Sequence, residues 1–247
     1  MLWRSSELIG TGIQATDGPI GGITDLLFED DAWKLRWVVV DTGIWLPGRE
    51  VLLPPDRLGR PEPGLGGFPV ALTRRQVEES PGAGSDAPVS RQVETGIYGH
   101  YGWTPYWEFG ASAAGLPEPT LPLAARLAPL EAPTPAGDPH LRSAKEVSGY
   151  HLHASDGDIG HVEELLVEDE SWAVRYVVVA TRNFWPGRKV LLAPRWFRRI
   201  DWGERAVTVA LTREQVKASP AYDPAVAPGR LYEERLHAHY GVPPYWG

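Results

Sequence analysis

The sequence predicts a mainly β protein with two small barrels or sandwiches in tandem, each followed by short helices. Three observations lead to this prediction. Residues 2–107 align without gaps with residues 141–246, and 44 of the 106 aligned pairs are identical. Each copy contains short apolar runs separated by turn residues at roughly ten-residue spacing. The intervening segment is rich in Pro and Ala and poor in charge, which is typical of an extended linker without a core. The predicted organisation is a first repeat at 1–107, a linker at 108–140 and a second repeat at 141–247.

Strands are predicted where β-branched and aromatic residues form runs between turn residues. In the first copy Asp17-Gly18 is a hairpin turn signal, and the glycines at 21 and 22 indicate a bulge or twist in the next strand. Apolar side chains then alternate with Lys34 and Arg36, which is the period of a strand. The predicted strands of the first copy span residues 12–15, 20–28, 33–40, 51–53 and 68–72.

Two helices are predicted after the strands of each copy. Thr73 and Gln76 have the spacing of a capping box, in which a hydroxyl and an amide satisfy free backbone groups at the start of a helix. The same pair recurs in the second copy. A longer helix is predicted at 91–101 and, more clearly, at 230–240, where no glycine interrupts the pattern.

Composition bounds the location and the chemistry of the protein. The chain has no Cys, which excludes disulfides, thiolate metal sites and cysteine catalysis and fits a reducing cytoplasm. No apolar run approaches the roughly 18–20 residues that span a bilayer, and the first residues lack the apolar region of a signal peptide. We therefore expect a cytoplasmic protein without membrane insertion. The net charge of −8 argues against nucleic-acid binding, which needs a positive surface.

Positive charge nevertheless clusters in the second copy between residues 182 and 205. This cluster is either a solvated surface or a docking patch for an acidic partner. Each copy also ends in Pro-Tyr-Trp, whose rings are too apolar to be left in water. The rings cover their own copy, cover the other copy or bind a partner, and our hypothesis is that they help the two barrels to pair. The candidate interaction residues are Tyr106, Trp107, Arg195, Trp196, Arg198, Arg199, Tyr245 and Trp246.

Most polar residues kept in both copies have structural explanations. Asp17 suits a turn, Arg36 and Arg49 suit a salt bridge or stacking on Trp, and His100 suits packing on aromatic rings near a helix end. A catalytic carboxylate at Asp17 and an anion site at the arginines are the alternatives. The sequence has no Gly-x-Ser-x-Gly or phosphate-cradling motif, so no catalytic or cofactor-binding residues are expected.

Three histidines of the second copy suggest a metal site. His151 and His153 fall on one face of a predicted strand, and His161 follows nearby. Zinc or nickel is the metal that such a site would take. The first copy has Gly12 and Gln14 at the first two positions, so the site is kept only as an alternative.

Four strings in the first copy resemble the PRC-barrel family, and the second copy has their counterparts. The strings are WRSSELIG at 3–10, DGPIGGI at 17–23, WKLRWVVVD at 33–41 and PGREVLLP at 47–54. The resemblance covers roughly residues 2–80 and 141–219, and the tail at 101–107 resembles the ending of stand-alone bacterial PRC-barrel proteins. The PRC-barrel is shared by the cytoplasmic part of the photosynthetic reaction-centre H subunit and the C-terminal domain of the ribosome-maturation factor RimM.

The resemblance implies a compact β-barrel that serves as a protein-interaction module and carries no catalytic residues. The sequence shows no counterpart of the membrane helix of the H subunit or of the N-terminal β-domain of RimM, so we expect that neither role transfers directly. We therefore expect two tandem PRC-type barrels that form a non-enzymatic cytoplasmic adaptor or scaffold. The expected partner is an unidentified protein, and the two barrels are expected to pair within the chain. The alternatives are a small-ligand or metal-binding sensor and, by family analogy alone, a role in photosynthetic electron transfer or ribosome assembly.

Overall fold

The computed structural model describes most of both copies. The predicted linker at 108–140 lies outside the described residues, as does Arg182 at the start of the basic cluster. The structure describes residues 1–43, 45–61, 66–81, 89, 91–107, 141–181 and 188–246.

Strands dominate the structure, so the prediction of a mainly β protein is confirmed. All five predicted strands of the first copy are present, and the last is shorter than expected. The first copy contains strands β1 (Leu2–Arg4), β2 (Gly12–Ala15), β3 (Gly18–Glu29), β4 (Lys34–Asp41), β5 (Glu50–Leu53) and β6 (Gly67–Pro69), and helices α1 (Ser5–Leu8), α2 (Arg74–Glu78) and α3 (Arg91–Tyr101).

The second copy repeats this order with one additional strand, β12. Thr73 and Thr212 both begin a helix with the predicted capping box. The second copy contains strands β7 (Leu141–Ser143), β8 (His151–Ala154), β9 (Gly157–Glu168), β10 (Val174–Ala180), β11 (Lys189–Leu192), β12 (Phe197–Asp201) and β13 (Ala206–Val209), and helices α4 (Ala144–Val147), α5 (Arg213–Ala218) and α6 (Arg230–Tyr240).

The strands form two mixed sheets. One has the order β11-β10-β9-β8-β13-β12, with β1 also paired to β9, and the other has the order β5-β4-β3-β2-β6, with β7 also paired to β3. Most neighbours are antiparallel, and the pairs β13·β8 and β2·β6 are parallel. Among the described residues neither sheet closes on itself. The closed barrel therefore stays a prediction.

Two glycines at matching positions permit a close approach between backbone segments. A Cβ atom on Gly21 would lie 1.8 Å from the carbonyl oxygen of Asp41, and one on Gly160 would lie 2.0 Å from that of Ala180. Both distances are far below van der Waals contact, so only glycine fits. The close approach of β3 to the end of β4, and of β9 to the end of β10, therefore depends on a glycine that both copies keep.

The compact units of the structure do not follow the boundaries of the repeat. One, which we call the exchange unit, contains the described residues of Met1–Gly10, Asp25–Arg36 and Arg142–Gly247. The other contains those of Thr11–Thr24 and Trp37–Leu141. The exchange unit thus joins nearly all of the second copy to two segments of the first.

Within the exchange unit the first strand of each copy pairs with the long strand of the other. Strand β1 runs antiparallel to β9, with Trp3 opposite Val167. Strand β7 pairs with β3, where Arg142 Nε donates to Asp30 at 3.0 Å and the Ser143 hydroxyl donates to Asp25. The exchange is reciprocal, because β7 is the counterpart of β1 and β3 is the counterpart of β9.

The hairpin tips at Trp33 and Trp172 also pair reciprocally in the exchange unit. Leu35 N donates to the Trp172 carbonyl at 2.8 Å, and Val174 N donates to the Trp33 carbonyl at 2.7 Å. Both Trp residues have positive φ angles, 50° and 57°. Left-handed backbone is costly for bulky residues. Both hairpin tips therefore have the same uncommon left-handed backbone conformation, and the two reciprocal hydrogen bonds stabilise it.

The core of the exchange unit lies between β9, β10, β11 and α6. Tyr176 and Leu236 are fully buried there, and Leu2 from the first copy packs against the same cluster. The pairing of segments from the two copies therefore contributes apolar core contacts as well as hydrogen bonds.

The longest described helices have 11 residues, and no described helix has the length and apolar character that crossing a membrane requires.

Candidate functional site

The basic residues predicted for interaction fall into two groups. Arg198 and Arg199 lie on β12, the end strand of its sheet, and both are exposed. Arg199 Nη2 donates to Asp201 Oδ2 at 2.8 Å. Arg195 and Trp196 precede the strand and contact α6 instead. We call β12 the basic strand.

The tail of the first copy folds back onto the helix of its own copy. Arg91 Nη1 donates to the Tyr106 hydroxyl at 2.9 Å, and the Arg91 guanidinium lies 4.4 Å from the centre of the Trp107 ring. The Tyr106 hydroxyl donates to Glu94 at 3.3 Å. These contacts anchor both rings of the tail to α3.

The tail of the second copy makes the same contacts. The Arg230 guanidinium lies 3.8 Å from the centre of the Trp246 ring, and the Tyr245 hydroxyl donates to Glu233 at 3.0 Å. Of the three roles considered for the tails, covering their own copy accounts for these contacts. The hypothesis that the tails pair the two barrels stays a prediction, as does partner binding by Tyr106, Trp107, Tyr245 and Trp246.

A buried glutamate lies at the centre of each tail anchor. Glu94 is 0% exposed and Glu233 is 4% exposed. Trp37 Nε1 donates to Glu94 at 2.7 Å, whereas the hydroxyl of Tyr176 donates to Glu233. Burial raises the pKa of the Glu233 carboxyl, and the hydrogen bonds from two tyrosines partly offset that rise.

In the second copy the hydrogen bonds continue from Tyr176 to the surface. The ring nitrogen Nε2 of buried His237 lies 2.9 Å from the Tyr176 hydroxyl. Arg195 Nη2 lies 3.0 Å from His237 Nδ1 and donates to the Pro243 carbonyl. Nδ1 also lies 3.2 Å from the Pro243 carbonyl oxygen. A guanidinium only donates and a carbonyl only accepts, so each tautomer of the ring satisfies one of these two contacts of Nδ1. Burial and the positive charge of Arg195 lower the pKa of His237.

This network is specific to the second copy. In the first copy an indole donates directly to the buried glutamate, and a tyrosine ring packs against that indole at 5.3 Å between ring centroids. The two copies differ at three positions of this network. Tyr176, His237 and Arg195 take the places of Trp37, Tyr98 and Asp56.

A pocket of about 290 Å³ lies beside this network, within the exchange unit. Arg175 in its wall donates from Nε to Glu168 at 3.1 Å and lies 4.1 Å from the centre of the Tyr245 ring, as predicted for a salt bridge or stacking role. The pocket therefore combines aromatic walls with charged and titratable groups. The lining residues that matter below are Trp33, Arg175, Tyr176, Arg195, His237 and Tyr245.

The three histidines considered as metal ligands lie on β8 and β9. His151 is paired with His161 across the two strands, and His153 Nδ1 lies 2.6 Å from Asp158 Oδ1. Within the part of the chain that the structure describes, no group of three or more His, Asp or Glu side chains is arranged to hold a metal ion.

The polar residues kept in both copies have structural contacts. The Asp17 carboxylate accepts the backbone N–H of Arg74 at 2.8 Å, and Asp156 accepts that of Arg213 at 2.8 Å. A ring nitrogen of His100 lies 2.9 Å from a backbone carbonyl of α2. Each aspartate thus joins the hairpin turn to the second helix of its copy, α2 or α5.

Neither a comparison with models of known protein families nor one with curated protein sequences finds a match to this chain.

Sequence reasoning missed the network around His237. His237 lies within the predicted helix at 230–240, and no pattern along that helix distinguishes it. The aligned copies do differ at the positions of this network: an aromatic pair and an acid in the first copy are replaced by Tyr, His and Arg in the second. These three positions are far apart in the sequence, and it is the fold that brings their side chains into contact.

Proposed function

We propose that the chain is a non-enzymatic adaptor of the PRC-barrel type whose basic strand binds an extended acidic segment of a protein partner. The observation that carries this proposal is the position of β12 at the end of its sheet with two exposed arginines. An end strand presents backbone N–H and C=O groups that an incoming strand can pair with. The arginines add selectivity for carboxylates.

Comparison of the copies supports this assignment. Arg198 takes the place of Gly59, and the first copy has no strand equivalent to β12 among its described residues. Arg199 has a counterpart in Arg60, so Arg198 and the extended pairing of β12 are what distinguish the second copy at this edge. The PRC-barrel resemblance gives the same class of function, because it implies a module for protein contacts.

The test uses the full chain as bait and compares two double variants. Arg198→Glu with Arg199→Glu reverses the charge of the basic strand. Arg75→Glu with Arg235→Glu makes the same charge change at exposed positions on two helices. A partner captured by the wild-type chain is then titrated with all three proteins.

We expect the basic-strand variant to bind the captured partner at least about tenfold more weakly, which corresponds to about 1.4 kcal/mol. The helix variant should bind like the wild type. Binding should also weaken as salt rises, because exposed charges are screened. Equal affinity of the wild type and the basic-strand variant would remove β12 from the interface.

A further inference from the structure

The pocket beside the His237 network contains the guanidinium of Arg195, which forms no ion pair with another described residue. Arg195 is exposed, and its hydrogen bonds go to the neutral ring of His237 and to the Pro243 carbonyl. Among the described residues no carboxylate lies within ion-pair distance of Arg195, although Asp31 also lines the pocket. One positive charge of the pocket is therefore free to meet an anion.

The second guanidinium of the pocket is already engaged. Arg175 pairs with Glu168, and its face covers the Tyr245 ring. Because Arg175 is already paired, the pocket presents one guanidinium, that of Arg195, to a charged ligand. Because Asp31 and Glu168 are acidic and close by, a doubly charged anion such as phosphate is disfavoured relative to a singly charged carboxylate.

The walls of the pocket are aromatic and held in place. The Trp33 ring stacks on Phe28 at 4.9 Å and meets the edge of Phe197 at 5.6 Å between ring centroids. The Tyr245 hydroxyl is fixed by Glu233. Flat apolar walls of this kind suit a ring, because aromatic pairs gain from stacked and edge contacts.

The volume of the pocket suits a small ligand. An apolar cavity of about 150 Å³ takes up benzene in another protein. A pocket of about 290 Å³ therefore has room for an aromatic ring and a carboxylate.

We propose that this pocket binds a small aromatic monocarboxylate, with the carboxylate on the Arg195 guanidinium and the ring against Trp33. A planar guanidinium matches a carboxylate in a two-bond geometry. His237 acts as a positioning residue, because in the tautomer whose Nδ1 accepts from Arg195 it fixes the guanidinium at the pocket. This site is separate from the basic strand and goes beyond the proposed adaptor function.

The test is calorimetric titration of the full chain with benzoate, benzamide and inorganic phosphate. Benzamide has the same ring without the charge, and phosphate has the charge without the ring. The variant Arg195→Gln removes the guanidinium at an exposed position, and Arg198→Gln is the matched control outside the pocket.

We expect saturable one-to-one binding of benzoate, with benzamide and phosphate each at least about tenfold weaker. Arg195→Gln should lose at least about tenfold in benzoate affinity, and Arg198→Gln should match the wild type. The ring nitrogens of His237 should shift in NMR spectra when benzoate is added, which locates the ligand.

Three results would overturn the site. They are no saturable benzoate binding, equal affinity for benzoate and benzamide, and unchanged binding by Arg195→Gln. The adaptor proposal is tested independently, since Arg198→Glu with Arg199→Glu should retain benzoate binding even where partner binding is lost.

Discussion

At the scale of single residues, a buried glutamate organises the end of each copy. Glu94 and Glu233 both accept a hydrogen bond from a tail tyrosine and a second one from β4 or β10. Buried carboxylates are unfavourable unless they are hydrogen-bonded, so each donor to them stabilises the fold. The tails are therefore structural parts of their copies, whatever else they contact.

Removing one of these donors should destabilise the protein measurably. We expect Tyr245→Phe to lower the free energy of unfolding by about 1 kcal/mol, because Glu233 loses a hydroxyl donor while remaining buried. Tyr106→Phe is the matched variant in the first copy and should act in the same direction. Urea denaturation measures both. Unchanged stability in both variants would show that these hydroxyls do not anchor the tails.

His237 should make stability depend on pH. Its folded pKa lies below the ordinary value of 6.5, so the folded state binds fewer protons than the unfolded state in that range. The stabilisation is complete above pH 6.5 and is lost as the pH falls through the lower folded value. We expect the free energy of unfolding to fall between pH 7.5 and pH 5.

The control for this prediction is His237→Tyr, which copies the residue found at Tyr98. Glu233 titrates in both proteins and acts in the opposite direction, since its raised pKa costs stability as the pH rises above 4.5. The difference between wild type and variant isolates His237. Parallel pH profiles of unfolding for the two proteins would contradict the assignment.

At the scale of elements, the exchanged segment depends on one buried hydroxyl. Ser5, which begins α1, is 4% exposed, and its Oγ accepts the backbone N–H of Leu165 at 3.1 Å. We expect Ser5→Ala to cost about 1–3 kcal/mol, because a buried N–H group is left without a partner. Ser155→Ala is the control, and it should cost less because Ser155 is exposed and its hydroxyl donates only to the backbone carbonyl of Leu211. Equal effects in thermal melts would argue against this role.

Most individual elements could be predicted from the sequence, because their signals are local. Alternation identified β4, and the Thr73 capping box identified α2. Strand β1 could not be found in this way, because three residues show no period and their partner strand lies more than 150 residues away. Strand β12 was not predicted, because the aligned segment of the first copy, 58–62, contains Gly59 and Pro61, which are residue types depleted in strands.

The candidate site was predictable only in part. Arg195 and Tyr245 were named as interaction residues on charge and aromatic character, and both line the pocket. His237 and Trp33 were not named, because one lies on a helix and the other on a hairpin tip of the other copy. Their proximity results from the exchange, which no local pattern encodes.

At the scale of the whole molecule, the exchange unit is held together by contacts between described segments of the two copies. Strand β1 pairs with β9, β7 pairs with β3, and the hairpin tips exchange two backbone bonds. These contacts should persist when the chain is cut between the copies. We therefore expect the two copies to stay associated when the peptide chain between them is cut.

Cutting the chain tests this directly. We expect a protease site inserted within 108–140 to yield two fragments that co-elute in size-exclusion chromatography and separate only in denaturant. The control is Trp3→Pro in the cleaved protein, which removes a backbone donor from β1 and should weaken the association. Immediate separation of the wild-type fragments under native conditions would contradict the prediction.

The three coordinated differences at the buried glutamate show what joining two sibling modules in one polypeptide permits. In an assembly of identical subunits, any mutation appears on both sides of the symmetry axis. In this chain Trp37 keeps its indole while Tyr176 carries a hydroxyl at the equivalent position. One half is thus able to specialise while its sibling preserves the original scaffold.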